Sequence, residues 1–304
     1  FVSHEHYFWH DTGNSAAILP AGLTIQPDKH AENAETKRRM LGLLEVTGLR
    51  QQLTTIDPRP ASIEEVCRFH TPTYVQSVAA MSEHGGGDAG ELTPVGRGSY
   101  EIALLSAGGC LAALEAILNE QVRNAYALVR PPGHHAEADR GRGFCLFGNG
   151  VITALHAKQL GIKRIAIVDW DVHHGNSQET AFINDPDVLT LSLHQDNYYP
   201  ADSGGINSVG EGSAIGTNLN IPLPPGSGHG AYIQAIESVI APALQRFKPE
   251  LIIISSGFDG SALDPLGRMM ASSETYREMA TLLRQLAEEL CEGRLLAIHE
   301  GGYS

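Results

Sequence analysis

The chain has 304 residues, is 42% hydrophobic and 18% charged, and carries a formal net charge of −14 at pH 7. This supports one large α/β domain with a sizeable core, or two small ones. The acidic balance disfavours nucleic acid as a partner, since phosphate binding needs a basic surface, and favours a cationic ligand, although acidity for solubility alone accounts for it equally well.

The first residues, FVSHEHYFWHD, have no basic stretch followed by an apolar one, so no signal peptide is expected. They also lack an initiator Met, and the natural start is read as missing. Apolar positions Ile102, Leu105, Leu111, Leu114 and Leu118 predict a helix over 100–118. YALVR (126–130) predicts the first buried strand, and 151–160 a helix. RIAIVDW (164–170) and VLTLSL (188–193) predict two more strands. A helix is expected over 231–247, then a strand at LIIISS (251–256), a helix over 274–291 and a strand at RLLAIH (294–299).

These strands are short and continuously apolar, as in sheets covered on both faces. Strand and helix alternate, so the expected fold is α/β with a parallel sheet. No linker divides the chain, and one domain over 1–304 is expected. No run of about 18 apolar residues is evident, so neither a transmembrane helix nor a membrane partner is expected. Cys67, Cys110, Cys145 and Cys291 form no CxxC pair, which argues against a thiolate zinc site and a disulfide framework. A reducing, cytoplasmic location is the corresponding expectation. The stop at HEGGYS, just after an apolar run, reads as a truncated chain.

The long Gly/Pro-rich loops at 84–98, 130–143 and 202–216 are of a length uncommon in compact domains unless functional. Most of the reactive side chains follow predicted strands, where open α/β sheets bind ligands. In VDWDVHHGN, Asp169, Asp171 and His173 share one face if the strand stays extended. Two carboxylates and an imidazole form half of a divalent-metal site, and buried carboxylates need such compensation. Asp259 in SGFDGSALDP follows another strand and serves either as a third ligand or as a helix N-cap. Asp264, before Pro265, suits a turn or helix start. RPPGHH places His134 and His135 side by side, a proton-transfer pair only if the backbone bends there. In HEGGYS, Gly301 and Gly302 leave Tyr303 free to swing into a site, where its phenol can donate to an oxyanion; a rim or core Tyr is the plainer reading.

RPPGHH, GFCLFGN, VDWDVHHGN, SLH, SGFD and EGGYS occur in the order seen in zinc-dependent histone deacetylases. From about Lys37 onward the chain resembles that superfamily, being most similar to class II deacetylases and bacterial histone-deacetylase-like amidohydrolases. The resemblance implies the arginase/deacetylase fold, a three-layer α/β/α arrangement with a mostly parallel sheet of about eight strands, and implies that the helices following the Tyr motif are missing. It implies zinc on Asp171, His173 and Asp259, His135 as general base and acid, and His134 hydrogen-bonded to Asp169. Tyr303 would polarise the amide carbonyl, and His174 would lie behind the ligands. Gly143, Phe144 and Tyr199 would line an acyl-lysine channel, with Asp88 as a rim acid holding the substrate backbone. Potassium would sit near Asp169, Asp171, His173, Ser192 and Leu193.

Asn176 stands where class I relatives have an acid, so His135 should be less basic here. Tyr303, rather than His, argues for real deacetylase activity. The implied reaction is hydrolysis of acetyl-lysine or a related acylated amine, with acetylpolyamine as the alternative substrate. A dimanganese arginase-like hydrolase and a non-catalytic acyl-lysine binder are competing readings. The resemblance also implies a homo-oligomer, a dimer or a tetramer.

Overall fold

The computed structural model describes residues 1–304. Six strands form its main sheet: β1 (Asn124–Ala127), β2 (Ile165–Asp169), β3 (Val188–Gln195), β4 (Asn218–Leu223), β5 (Leu251–Ser256) and β6 (Leu295–His299). All pairs are parallel, in the spatial order β4-β3-β2-β5-β6-β1. About eight strands were implied by the resemblance; the outer edge of β1 instead carries only an isolated bridge from Val2 to Ala127.

The eight α-helices of seven or more residues are α1 (Glu35–Val46), α2 (Pro72–Glu83), α3 (Ser99–Leu118), α4 (Asn149–Gln159), α5 (Asn176–Phe182), α6 (His229–Ala235), α7 (Ala241–Phe247) and α8 (Ser273–Cys291). The helix expected over 231–247 is interrupted by a π-helical turn at Ile236–Ile240. Pro242 lies just beyond it; with no N–H to donate, proline disturbs the regular ladder behind it.

Strand pleating explains the layers. Ala166 and Val168 of β2 pack with Ile252 and Ile254 against a helical layer that includes Tyr232, Ile236, Leu244, Met279 and Leu283. Their neighbours Ile165 and Ile167 face the other way, with Ile253, Leu296 and Ile298, onto Cys110, Leu114 and Ile117 of α3 and Val151 and Ala154 of α4. Both faces are covered, which is why the strands read as continuous apolar runs.

Two expectations need correction. Helix α3 is long and apolar enough to span a membrane by composition, contrary to the reading that no such segment exists. Most of it is buried between the sheet and α4, which accounts for its apolar surface without a bilayer. Strand β4 had not been expected, because NLNIPL carries two asparagines and a proline. Asn218 and Asn220 are nevertheless buried, each donating its amide to the Glu179 carboxylate, at 2.8 and 2.7 Å. Tertiary hydrogen bonds satisfy polar groups that a sequence pattern counts against burial.

The strand order reverses at the centre. From β2 the chain steps outward through β3 to β4, then returns to β5 on the other side of β2 and continues to β6. A crevice opens at such a switch point, outside the carboxyl ends of β2 and β5.

Candidate active site

Asp169 is the last residue of β2, paired in register with Ser192 on one side and Ser255 on the other. The strand does not stay extended beyond it, so continued pleating is not what places the acids and His173 on one side. Instead, Asp169 Oδ1 accepts the Asp171 N–H at 3.0 Å, and Asp171 Oδ1 accepts the His173 N–H at 2.9 Å. These Asx-type turns preserve the alternation: Trp170 and Val172 enter the core, while the acids and His173 gather on the other side. Asp259, three residues past β5, starts no helix, so the N-cap reading is not what the fold uses. Its Oδ1 accepts the Val172 N–H at 2.8 Å, locking the two strand-end loops together.

One ligand atom each from Asp171, His173 and Asp259 falls within 4.8 Å of the others, and all three residues are buried. His173 Nδ1 lies 3.0 Å from both Asp171 Oδ1 and Asp259 Oδ2. Asp259 Oδ2 is shielded from solvent yet accepts no aligned hydrogen bond. Burial, reinforced by the Asp171 charge, pushes the Asp259 carboxyl up to about 7. Two carboxylates this close resist sharing negative charge unless a cation lies between them. Two oxygens and one imidazole nitrogen with an orphaned lone pair suit a divalent metal with an open coordination position.

His134 and His135 stand beside this cluster, their ring centroids 3.9 Å apart. His134 Nδ1 donates to Asp169 Oδ2 at 3.0 Å, and its Nε2 lies 3.7 Å from Asp171 Oδ2. Burial works against the His134 imidazolium, but Asp171 and Asp169 together outweigh it and raise His134 to about 10. His135 is held well below its usual value by burial and by the charges on His134 and His173. Its Nδ1 donates to Asn176 Oδ1 at 2.8 Å, while Asn176 Nδ2 donates to the His135 carbonyl at 3.1 Å. That reciprocal pair fixes the amide orientation and leaves His135 Nε2 as the free basic nitrogen. Gly133 is required for close approach rather than for a left-handed turn: a Cβ there would lie 2.5 Å from the Asn149 nitrogen.

A cavity of about 230 Å³ rises from these residues. His135, His173 and Tyr303 line it, as do Gly143, Phe144 and Tyr199. A side chain at Gly143 would clash, its Cβ 2.5 Å from His135 Cδ2 and 2.9 Å from Tyr199 Cε1. Phe144 has a positive φ of 70°, a strain on the order of 1–3 kcal/mol for a bulky residue. Its N–H donates to the Leu92 carbonyl at 3.0 Å, which helps hold it there. The Phe144 ring meets Tyr303 edge-on at 5.7 Å, and Tyr199 meets His135 edge-on at 5.1 Å.

Tyr303 is aimed by its backbone, its N–H donating to Asp264 Oδ2 at 2.7 Å. Asp264 Oδ1 accepts the Leu266 N–H at 2.9 Å, the turn role expected of it. Gly302, at φ 128°, makes the turn between strand and phenol. Burial and the nearby carboxylates keep the Tyr303 phenol protonated, well above its usual value.

Asp88 does not line the cavity. It is exposed, and its Oδ1 accepts the N–H groups of Gly90 and Thr93 at 3.0 Å each, so it shapes its own loop. Ser192 Oγ accepts the Gly175 N–H at 3.3 Å, and Leu193 lies in the core. His174 is set back from the cluster, its Nδ1 2.8 Å from Ser203 Oγ.

Several site residues escaped sequence reasoning. Ile18, Leu92, Tyr198 and Leu266 complete the cavity wall; isolated apolar residues in loops carry no sequence signal. Glu300 is buried and accepts the Gly133 and His134 N–H groups on Oε2, at 2.7 and 3.2 Å. It thereby ties the histidine loop to the loop bearing Tyr303, and burial raises its carboxyl to about 7. An acid at the end of a buried apolar run, the signal that marks Asp169, marks it in the sequence as well.

A family model described as histone deacetylase domain matches residues 30–304. A histone deacetylase-like amidohydrolase of Pseudomonas aeruginosa is 46% identical, the match covering 100% of this chain and 81% of the relative. A probable deacetylase of Archaeoglobus fulgidus is 38% identical over 100% of this chain and 80% of its own length. The human polyamine deacetylase HDAC10 is 36% identical over 92% of this chain and 43% of the relative. Among solved structures, the HDA15 HD domain superposes with a TM-score of 0.89 at 32% identity, covering all of this chain and 85% of that one. Motif order, fold and strand-end site agree with these matches, and the chain belongs to the histone deacetylase domain family.

Proposed function

We propose that the protein is a zinc-dependent deacylase that hydrolyses the amide of an acylated lysine or a related acylated amine. The observation that carries this reading is the convergence of Asp171, His173 and Asp259 under a cavity also lined by His135 and Tyr303. Zinc on those three ligands would supply Lewis-acid activation of the amide carbonyl and of the attacking water. His135 Nε2 takes the water proton and returns it to the departing amine. His134 donates to Asp169 beside it, and burial keeps His135 neutral and ready to accept. Asn176 holds the required tautomer, and Tyr303 donates its O–H to the tetrahedral oxyanion. Phe144 and Tyr199 flank the aliphatic stem of the acyl amine, and Gly143 leaves it room.

Potassium is proposed beside the zinc site, near Asp169, Asp171, His173, Ser192 and Leu193. The in-register pairing of Asp169 with Ser192 supports that placement.

Acylated polyamines are the second reading, favoured by the human relative described as a polyamine deacetylase. The test is metal analysis of untreated protein followed by turnover on acetyl-lysine peptide, acetylpolyamine and longer acyl-lysines. About one zinc per chain with turnover on at least one substrate is expected. Two manganese ions per chain would replace the proposal with a dinuclear hydrolase, and a flat panel with zinc present would replace it with an acyl-lysine binder.

A further inference from the structure

Arg142 is almost buried, 7% exposed, although it lies among the loops of the cavity mouth. Its three nitrogens reach three different partners. Nε donates to Glu91 Oε2 at 3.1 Å, Nη1 to Glu137 Oε1 at 2.9 Å, and Nη2 to Asp202 Oδ1 at 2.8 Å. Those acids belong to the three long Gly/Pro-rich stretches of the chain, and each lies near a residue of the cavity wall. Glu91 precedes Leu92, Asp202 follows Tyr199, and Arg142 itself precedes Gly143 and Phe144.

The backbone repeats the connection. Glu91 and Arg142 are register partners in a two-residue parallel ladder, and the Gly143 N–H donates to the Glu91 carbonyl at 2.9 Å. The Arg142 guanidinium also lies 5.9 Å from the centre of the Tyr199 ring. Glu137 Oε1, shared with Arg142, lies 3.4 Å from Asn176 Nδ2, the amide that orients His135.

Glu91 and Asp202 are substantially exposed, so an ordinary surface pairing there would be weak and screened. The planar fork alters this balance, because one rigid cation meets three carboxylates along separate directions. Without it, three like charges converge with only Arg140, bound to Glu137, left to offset them.

We propose that Arg142 is a positioning residue that holds the channel wall and mouth in their substrate-binding shape, a specificity role resting on the deacylase reading above. Arg142→Met removes the charge but keeps much of the stem, and Arg142→Lys keeps the charge but loses the fork. Both are compared with wild type for KM and kcat on an acyl-lysine peptide. Inhibition is measured with acetohydroxamate, which reaches only the cavity floor, and with a hydroxamate on a six-carbon linker, which also fills the channel. Limited proteolysis reports the three loops independently of catalysis.

For Arg142→Met, KM rises on the order of tenfold, with kcat affected much less, since misplaced walls weaken binding of the extended substrate. The linker hydroxamate weakens in parallel while acetohydroxamate keeps its wild-type inhibition constant, and cleavage within 84–98, 136–143 or 199–205 accelerates. Arg142→Lys shows the same pattern to a smaller degree, and it carries the test should Arg142→Met not fold. Folded variants with wild-type KM, wild-type inhibition by the linker compound and unchanged proteolysis overturn the clamp. Wild-type protein inactive on every acyl amine overturns the deacylase reading instead, and proteolysis still decides whether the clamp exists.

Discussion

The backbone N–H of Gly301 donates to Asp171 Oδ2 at 2.8 Å, joining the loop after the last strand to the loop after the central one. The approach leaves no space for a side chain. A Cβ at 301 would lie 2.2 Å from Asp259 Oδ2 and 2.7 Å from Asp171 Oδ2. Gly301→Ala is therefore expected to displace the carboxylates, costing about 1–3 kcal/mol of stability as overpacking and on the order of 10- to 100-fold in metal affinity. Competition with a chromogenic chelator measures the affinity; wild-type retention of metal would show that the three side chains do not form the site.

Tyr303→Phe removes one hydroxyl and leaves the ring against Phe144. If that hydroxyl stabilises the oxyanion, kcat falls roughly 10²- to 10³-fold while metal content stays at the wild-type level. Steady-state kinetics alongside elemental analysis checks both halves, and a near-normal kcat removes Tyr303 from the chemistry.

His135→Ala removes the group assigned to proton transfer without touching a metal ligand. Turnover is expected to drop by about 10²- to 10⁴-fold, with binding of a competitive hydroxamate kept within a few-fold. Calorimetric titration separates the two effects. An active His135→Ala variant would shift the role of base to His134.

Three buried histidines outside the Asp171, His173 and Asp259 cluster predict acid sensitivity. Burial is the main cause in each, lowering His10 and His299 to about 3 and His70 to about 4. In the unfolded chain each binds a proton near pH 6.5, whereas the folded protein does not until pH 3–4. The unfolded state thus holds more protons in this window, and stability rises with pH. Stability should fall as pH drops from about 6.5 toward 4, each histidine contributing a slope of up to about 1.4 kcal/mol per pH unit, while Asp259 and Glu300, both raised to about 7 in the folded protein, each oppose this by up to the same amount, leaving a net slope of the histidine sign. Urea unfolding at pH 7, 6, 5 and 4 measures the slope; a midpoint independent of pH would contradict it.

Five of the six main strands were legible because both faces of the sheet are covered, so runs such as LIIISS need no polar alternation. The strand Asn218–Leu223 was not, because its buried asparagines are satisfied by Glu179 on a helix about 40 residues earlier. The cluster of Asp171, His173 and Asp259 is legible as residue types, but a continuing strand does not account for its geometry. Asx-type turns, rather than a continuing strand, place Asp171 and His173 together. Glu300 carries the strand-end signal of Asp169, but Arg142 carries none, because its importance lies in three carboxylates from separate loops.

Taken alone, the amino-acid order determined that acids, histidines and a tyrosine follow apolar strands, because periodicity and local turn chemistry are properties of near neighbours. Only the tertiary structure decided that residues 130 positions apart in the chain share a cavity, since the strand order brings β2, β5 and β6 side by side. It also decided which lone pair stays unpaired and which loops are clamped. Burial and long-range hydrogen bonds set those outcomes, and neither exists until the sheet has formed.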